Sequence, residues 1–182
     1  RAIDIDAQGC LVVVKVLDGG KTTSEQPYTL SSSLVSIRPF SSNALSSPTL
    51  RSVIYIYNGP GTSVSSTTMM KNTLLDVCDP SLFTIQYIDA DTLCNSTWRK
   101  HMGYKCVAGV IFPGGADRYY VQELEAKGGN QNISNYVRVD GGCYVGFCAG
   151  AYYGCQRVMF DMDGPLEVNE PRSLCFYHGN GV

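Results

Sequence analysis

The stretch Gly141-Gly142-Cys143-Tyr144-Val145-Gly146-Phe147-Cys148-Ala149-Gly150-Ala151-Tyr152-Tyr153-Gly154-Cys155 decides how this chain is read. It opens on a turn, Asp140-Gly141-Gly142, and runs through a short apolar strand from Cys143 to Phe147. Small residues follow, then a helical run from Ala149 to Phe160. Cys148 sits at the changeover, flanked as Gly146-x-Cys148-x-Gly150. With serine in place of cysteine this is the nucleophile-elbow pattern. A sharp strand-to-helix turn strains the nucleophile's backbone and crowds the positions two before and two after it, so side chains must be absent there. The turn would hold the sulfur at a helix N-terminus, where unpaired N–H groups and the helix dipole favour a thiolate. The competing reading is a buried structural cysteine at a Gly-rich strand end.

Working outward, the pattern around this stretch is regular. Ser52 to Tyr57 reads as a strand buried on both faces, ending in Asn58-Gly59-Pro60-Gly61-Thr62-Ser63. A helix is expected from Val64 to Val77, stopped by Asp79-Pro80. Phe83 to Ile88 is a second strand, and residues 90–102 form a helix or irregular crossover containing Trp98. Cys106 to Phe112 is a third strand, ending in Pro113-Gly114-Gly115-Ala116-Asp117. Tyr119 to Lys127 and Ile133 to Val139 supply helix on either side of Gly128-Gly129-Asn130, and Ser173 to Tyr177 reads as a last strand. Short apolar strands alternating with helices predict an α/β fold, a doubly wound parallel sheet with its site at the carboxyl ends of the strands. Residues 1–50 differ: a β-branched strand from Gly9 to Leu17, then a Ser-rich stretch, Ser31 to Ser47, that reads as a linker or a loosely packed arm. The chain therefore divides into an N-terminal extension, 1–50, and a domain, 51–182.

The same rule gathers three loops on one sheet edge: Asn58 to Ser63, Pro113 to Asp117, and the Cys148 turn. The N–H groups at Gly114 and Gly115, with that of Ala149, would form an oxyanion hole for a thiolate attacking a carbonyl; a plain tight turn is the alternative. Asn58, Gly59 and Gly61 are expected to wall the site, lacking the spacing of a phosphate-binding loop. Asp117 either orients substrate or caps the helix before Tyr119. Tyr120 and Tyr152 either line the pocket or pack as ordinary aromatics.

Composition narrows the classes. The chain has 182 residues, 44% hydrophobic and 16% charged, with 14 basic against 16 acidic residues. No basic stripe marks a nucleic-acid partner, and no apolar run approaches the about 20 residues of a membrane span. Opening on Arg1 suggests a processed form or a fragment. The eight cysteines contain no CxxC pair, and with two histidines, His101 and His178, a metal site is not expected; no motif calls for a cofactor. The cysteine count and two sequons, Asn95-Ser96-Thr97 and Asn132-Ile133-Ser134, lean towards a secretory compartment with some disulfides, the cytoplasm being the alternative.

Tyr57 to Ser63, Phe112 to Asp117 with Tyr120 close by, and Gly146 to Tyr153 together resemble the biotin-protein-ligase N-terminal domain family, a branch of the class I glutamine-amidotransferase-like superfamily. Leu174-x-Phe176-Tyr177-x-Gly179 is similar to that family's next block. The resemblance covers about residues 52–182. It implies a flavodoxin-like three-layer sandwich with Cys148 at the nucleophile position and Gly114 and Gly115 at the oxyanion loop. Working amidotransferases pair the cysteine with a late-strand histidine and commonly a glutamate. This chain stops before the family's domain normally does, and His178 stands where the family usually has proline. A second polypeptide segment completing the domain is therefore one expected partner. Two functions follow. In one, Cys148 attacks an amide or ester of a small molecule or peptide and passes the acyl group through a thioester. In the other, the domain has kept the pocket and lost the catalysis, serving as a binding or regulatory portion of a biotin ligase.

Overall fold

The structure is a computed structural model that describes residues 13–15, 51–103 and 107–182, with backbone alone at 13–15 and 100–103. Five parallel strands form its main sheet, in the order β1 (Val13–Lys15), β5 (Tyr144–Phe147), β4 (Val107–Phe112), β2 (Val53–Tyr57), β3 (Thr84–Ile88). From β2 the chain passes through α1 (Val64–Val77) to β3 on one side. It then returns through α2 (Ala90–Cys94) and a 3-10 segment, Ser96–Gly103, to β4 on the other side of β2. Connections thus leave β2 and β4 in opposite directions, the arrangement that opens a crevice beyond the strands' carboxyl ends. The expected doubly wound α/β fold is what forms.

Strand alternation sorts the core into two layers. Val53, Tyr55 and Tyr57 of β2, Val110 and Phe112 of β4, and Tyr144 of β5 face α2, α3 (Asp117–Glu125) and α4 (Gly129–Arg138), meeting Leu93, Tyr120, Leu124, Ile133 and Tyr136. The intervening Ile54, Ile56, Ile111, Val145 and Phe147 face the other way, towards Met70 and Leu74 of α1. Side-chain period two sends neighbours to opposite faces, so both faces of β2 and β4 are apolar and both are covered. The first layer is unusually aromatic: Phe112 stacks on Tyr57 at 4.8 Å and on Tyr144 at 5.4 Å, with Tyr120 edge-on to Tyr57. Such pairs are each worth about 0.5–1.5 kcal/mol beyond burial.

Most expected elements fall where the residues place them, α1 to the residue. Four places differ. The helix after Cys148 is only α5 (Ala149–Gly154), because the chain leaves it as β6 (Cys155–Phe160), held between β7 (Val168–Pro171) and β8 (Tyr177–Gly181). Cys155 and Val158, both buried, are three residues apart, a helical spacing; the strand accommodates it through a register shift against β8 between Cys155 and Arg157, and pairing with distant segments decides the outcome. The last strand begins at Tyr177 instead of Ser173, since Cys175 takes φ 43, out of the extended region. β7 ends in Pro171 and lies at a sheet edge, where a missing N–H is tolerated. Finally, α4 starts at Gly129 instead of Ile133, with Gly128 at φ 81 as its N-cap, so Gly129 and Asn130 belong to the second helix and Gly128 lies between the two. The strand expected from Gly9 to Leu17 is present at Val13–Lys15, pairing with β5; its remainder and the Ser-rich stretch lie outside the described residues.

The disulfides expected from cysteine count are not found among the described residues, where Cys78, Cys94, Cys148, Cys155 and Cys175 are free thiols. Cys10 and Cys106 lie outside them. The two sequons also part company. Asn95 is exposed, but Asn132 sits within α4 and donates through Nδ2 to the carbonyls of Leu93 and Cys94, at 3.1 and 2.9 Å. It caps the carbonyls at the end of α2, sharing that of Leu93 with the Trp98 indole N–H, a structural task a glycan would displace. No described helix is long and apolar enough to cross a membrane. Asn132→Ala is expected to lower the stability by about 1–2 kcal/mol, read as a lower urea midpoint at unchanged slope.

Candidate functional site

The three loops meet as the topology requires. Those after β2 and β4 are zipped together by Ser63 N–H to Gly114 O, 2.9 Å, and Ala116 N–H to Gly61 O, 2.8 Å, around a bridge between Thr62 and Gly115. This contact explains two glycines. A Cβ at Gly115 would overlap the Gly61 carbonyl oxygen, and one at Gly61, itself at φ 93, would lie 2.7 Å from Ala116 O. Asn58 is exposed at the loop's start, its N–H held by Ile88 O at 2.8 Å, while the hydroxyl of Thr62 donates to Gly59 O at 2.8 Å. Asn58, Gly59 and Gly61 thus lie in a loop braced by hydrogen bonds to its own backbone and to its neighbours.

The third loop is pinned against the second. Gly150 N–H donates to Pro113 O, 3.2 Å, and a Cβ at Gly150 would overlap the carbonyl oxygen of Phe112. A Cβ at Gly146 would in turn overlap the carbonyl of Gly150. Between these two glycines Cys148 is forced to φ 50, ψ −112, outside the regions that L-residues favour. It is half-buried, and its Cβ lies 3.5 Å from where a Cβ on Gly114 would stand. The crowding expected from the Gly-x-Cys-x-Gly spacing is therefore a matter of backbone contact on both sides. The short α5 carries less macrodipole than a helix running to Phe160 would have done.

The candidate oxyanion donors divide. Gly114 is buried and its N–H donates to Ser66 Oγ at 2.8 Å, so that amide is committed. Gly115 is exposed, and among the described residues its N–H meets no acceptor. Ala149, first residue of α5, lies where a helical N–H has no intrahelical acceptor. Ser66, in the first turn of α1, is not legible from any local motif; only the fold brings it to the Gly114 amide.

The other predicted residues have structural work. Tyr120 is fully buried and donates to Pro113 O at 2.9 Å; burial first, then the neighbouring Tyr57, Cys148 and Asp117, pushes its phenol well above its ordinary range. It supports the β4 loop from beneath. Tyr152 packs on Phe160 and beside Gly181, its hydroxyl reaching Val182 O at 3.4 Å, and so belongs with the smaller sheet. Asp117 is not the N-cap of α3, which is Ala116; it is the first helical residue, and its carboxylate is buried against Arg172 Nε at 2.8 Å. Arg172, also buried, reaches the more exposed Glu170 at 3.0 Å as well. His178 lies 3.4 Å from Cys175 Sγ and not at Cys148. Among the described residues no side chain hydrogen-bonds the Cys148 sulfur, and the side chain of His101 is outside them.

Two expectations follow. Gly150→Ala is expected to destabilise the protein by about 3 kcal/mol, because its added carbon meets backbone that cannot step aside, measured by urea unfolding. Asp117→Asn leaves the Arg172 charge buried with only Glu170 to balance it and is expected to cost about 3 kcal/mol, by the same measurement.

A family model described as "Biotin-protein ligase, N terminal" matches residues 52–182, which takes in all three loops and both sheets from β2 onward. A biotin–protein ligase of Schizosaccharomyces pombe is 33% identical over 127 residues, covering 69% of this chain and 19% of that protein. An uncharacterized protein of Chlamydia muridarum is 45% identical over 71 residues, covering 38% of this chain and 26% of its own. The chain thus spans only a small part of the curated relatives it matches. The glycine-braced loops and the cysteine between them are parts of a known domain, and the chain belongs to the biotin-protein ligase N-terminal family.

Proposed function

We propose that this domain is a binding module, an accessory part of a biotin-ligase-type protein, whose pocket takes a carboxylate or carbonyl oxygen at the N–H groups of Gly115 and Ala149. The observation that carries this reading is the pairing of a family match across residues 52–182 with two backbone amides: that of exposed Gly115, which meets no acceptor among the described residues, and that of Ala149, next to Cys148 at the start of α5. Preorganised amides of this kind hold an oxyanion without further rearrangement. The test is a titration of the 15N-labelled full chain with biotin, followed by amide chemical shifts. The Gly115 and Ala149 signals are expected to move together and saturably, and to do so equally in Cys148→Ser. Unchanged signals at both positions would sink the proposal.

A second reading, cysteine-dependent acyl transfer, is favoured by one specific feature: the strained backbone at Cys148, a kind of outlier that clusters at functional sites. In that scheme Cys148 attacks an amide or ester carbonyl, the same two N–H groups take the oxyanion, and water or an amine releases the acyl group from the thioester. Proton transfer to the leaving group needs a donor, and none of the described side chains hydrogen-bonds the sulfur. Mixing with p-nitrophenyl acetate separates the readings. Binding alone predicts no acetyl adduct on Cys148 by mass spectrometry, whereas a burst of nitrophenol equal to the protein followed by continued turnover, both lost in Cys148→Ala, would establish the enzyme.

A further inference from the structure

Away from the glycine loops, one thiol has a base beside it. Cys175 Sγ lies 3.4 Å from His178 Nδ1. The contact depends on a bent backbone: Cys175 stands at φ 43, and extended structure resumes only at Tyr177. Arg138 holds the bend from α4, with Nη2 donating to Cys175 O at 2.9 Å and Leu174 O at 3.2 Å and the guanidinium 5.5 Å over the Phe176 ring. Phe176 N–H is tied to Gly154 O at 2.9 Å. Cys175 is half-buried and His178 exposed, so a small reagent reaches the pair from solvent. Other thiols are placed differently. Cys155 is buried and donates to Ala151 O, and burial, then Asp117 and Cys175, pushes it up to about 11. Burial also raises Cys94.

We infer that Cys175 and His178 form a reactive thiol site, separate from Cys148, that takes low-molecular-weight disulfides by thiol–disulfide exchange. A nucleophile within hydrogen-bond reach of a base is the arrangement such chemistry uses. His178 Nδ1 accepts the thiol proton while Cys175 Sγ bonds to one sulfur of the incoming disulfide. The disulfide's own S–S bond breaks, and the departing thiolate takes the proton from the imidazolium. The products are a mixed disulfide on Cys175 and one small free thiol. Cys175 is oxidised and the external disulfide reduced, with no other reactant. The inference does not rest on what Cys148 does.

The experiment treats the full, reduced chain with glutathione disulfide at neutral pH and maps the adducts over time by peptide mass spectrometry. Cys175 is expected to form its mixed disulfide before half-buried Cys78, and His178→Gln to slow that reaction on the order of tenfold. His178 is exposed, so circular dichroism of the variant should match the parent. Modification of Cys78 ahead of Cys175, or equal Cys175 rates in parent and variant, would overturn it. Cys148 is followed in the same digests, which keeps failure at one site distinct from failure at the other.

Discussion

The close approach of Gly150 to the carbonyl of Phe112 governs this structure. No side-chain atom fits between them, so the turn after β5 lies directly on the end of β4, and the Gly150 N–H reaches Pro113 O. Everything at the sheet's rim follows from that contact. Cys148 is carried over Gly114, Gly146 must be bare to let the turn close, and the strain at Cys148 is held by backbone packing on both sides. Strain of this sort persists only where its surroundings over-determine it, and here three loops and a buried tyrosine hydroxyl do so.

Beneath the rim a polar layer supports the same loops. Tyr120 and Gly150 both donate to Pro113 O, and the Tyr144 hydroxyl donates to Gly150 O at 2.6 Å. Asp117 and Arg172 join the start of α3 to the segment after β7 through a buried ion pair. Tyr153 donates to Asn130, and Asn130 to Ser173 at 2.5 Å, linking α5, α4 and that same segment. Buried polar groups are costly unless paired, and paired they fix one arrangement. The smaller sheet is thereby fastened under the site by residues that, in sequence, look like loop.

The division of roles among the predicted residues has a common cause. Gly114 and Gly115 are adjacent, yet one N–H is taken by Ser66 and the other, in an exposed residue, meets no acceptor among the described residues. Tyr120 and Tyr152 sit near the motifs in sequence but belong to the aromatic core and to the smaller sheet respectively. His178, which stands where the family usually has proline, is engaged at Cys175. Proximity along the chain to a loop says little about which way a side chain leaves the backbone.

By itself the sequence determined what depends on local pattern. The apolar runs at 53–57 and 107–112 set two-faced strands, Val64 to Val77 set a helix, and the Gly-x-Cys-x-Gly spacing set a turn too tight for side chains. These are short-range requirements of period, propensity and backbone space, written wherever they act. The family followed from the same three loops in order. The tertiary structure alone decided where the helix after Cys148 stops, because Cys155 to Phe160 become strand only against β7 and β8. It alone decided that Asp117 meets Arg172, that Ser66 takes the Gly114 amide, that Asn132 closes α2, and that Cys175 finds His178 around a left-handed bend. All but the last join residues far apart in the chain, and even that one turns on a backbone angle no residue type announces; such contacts exist only once the chain has closed on itself.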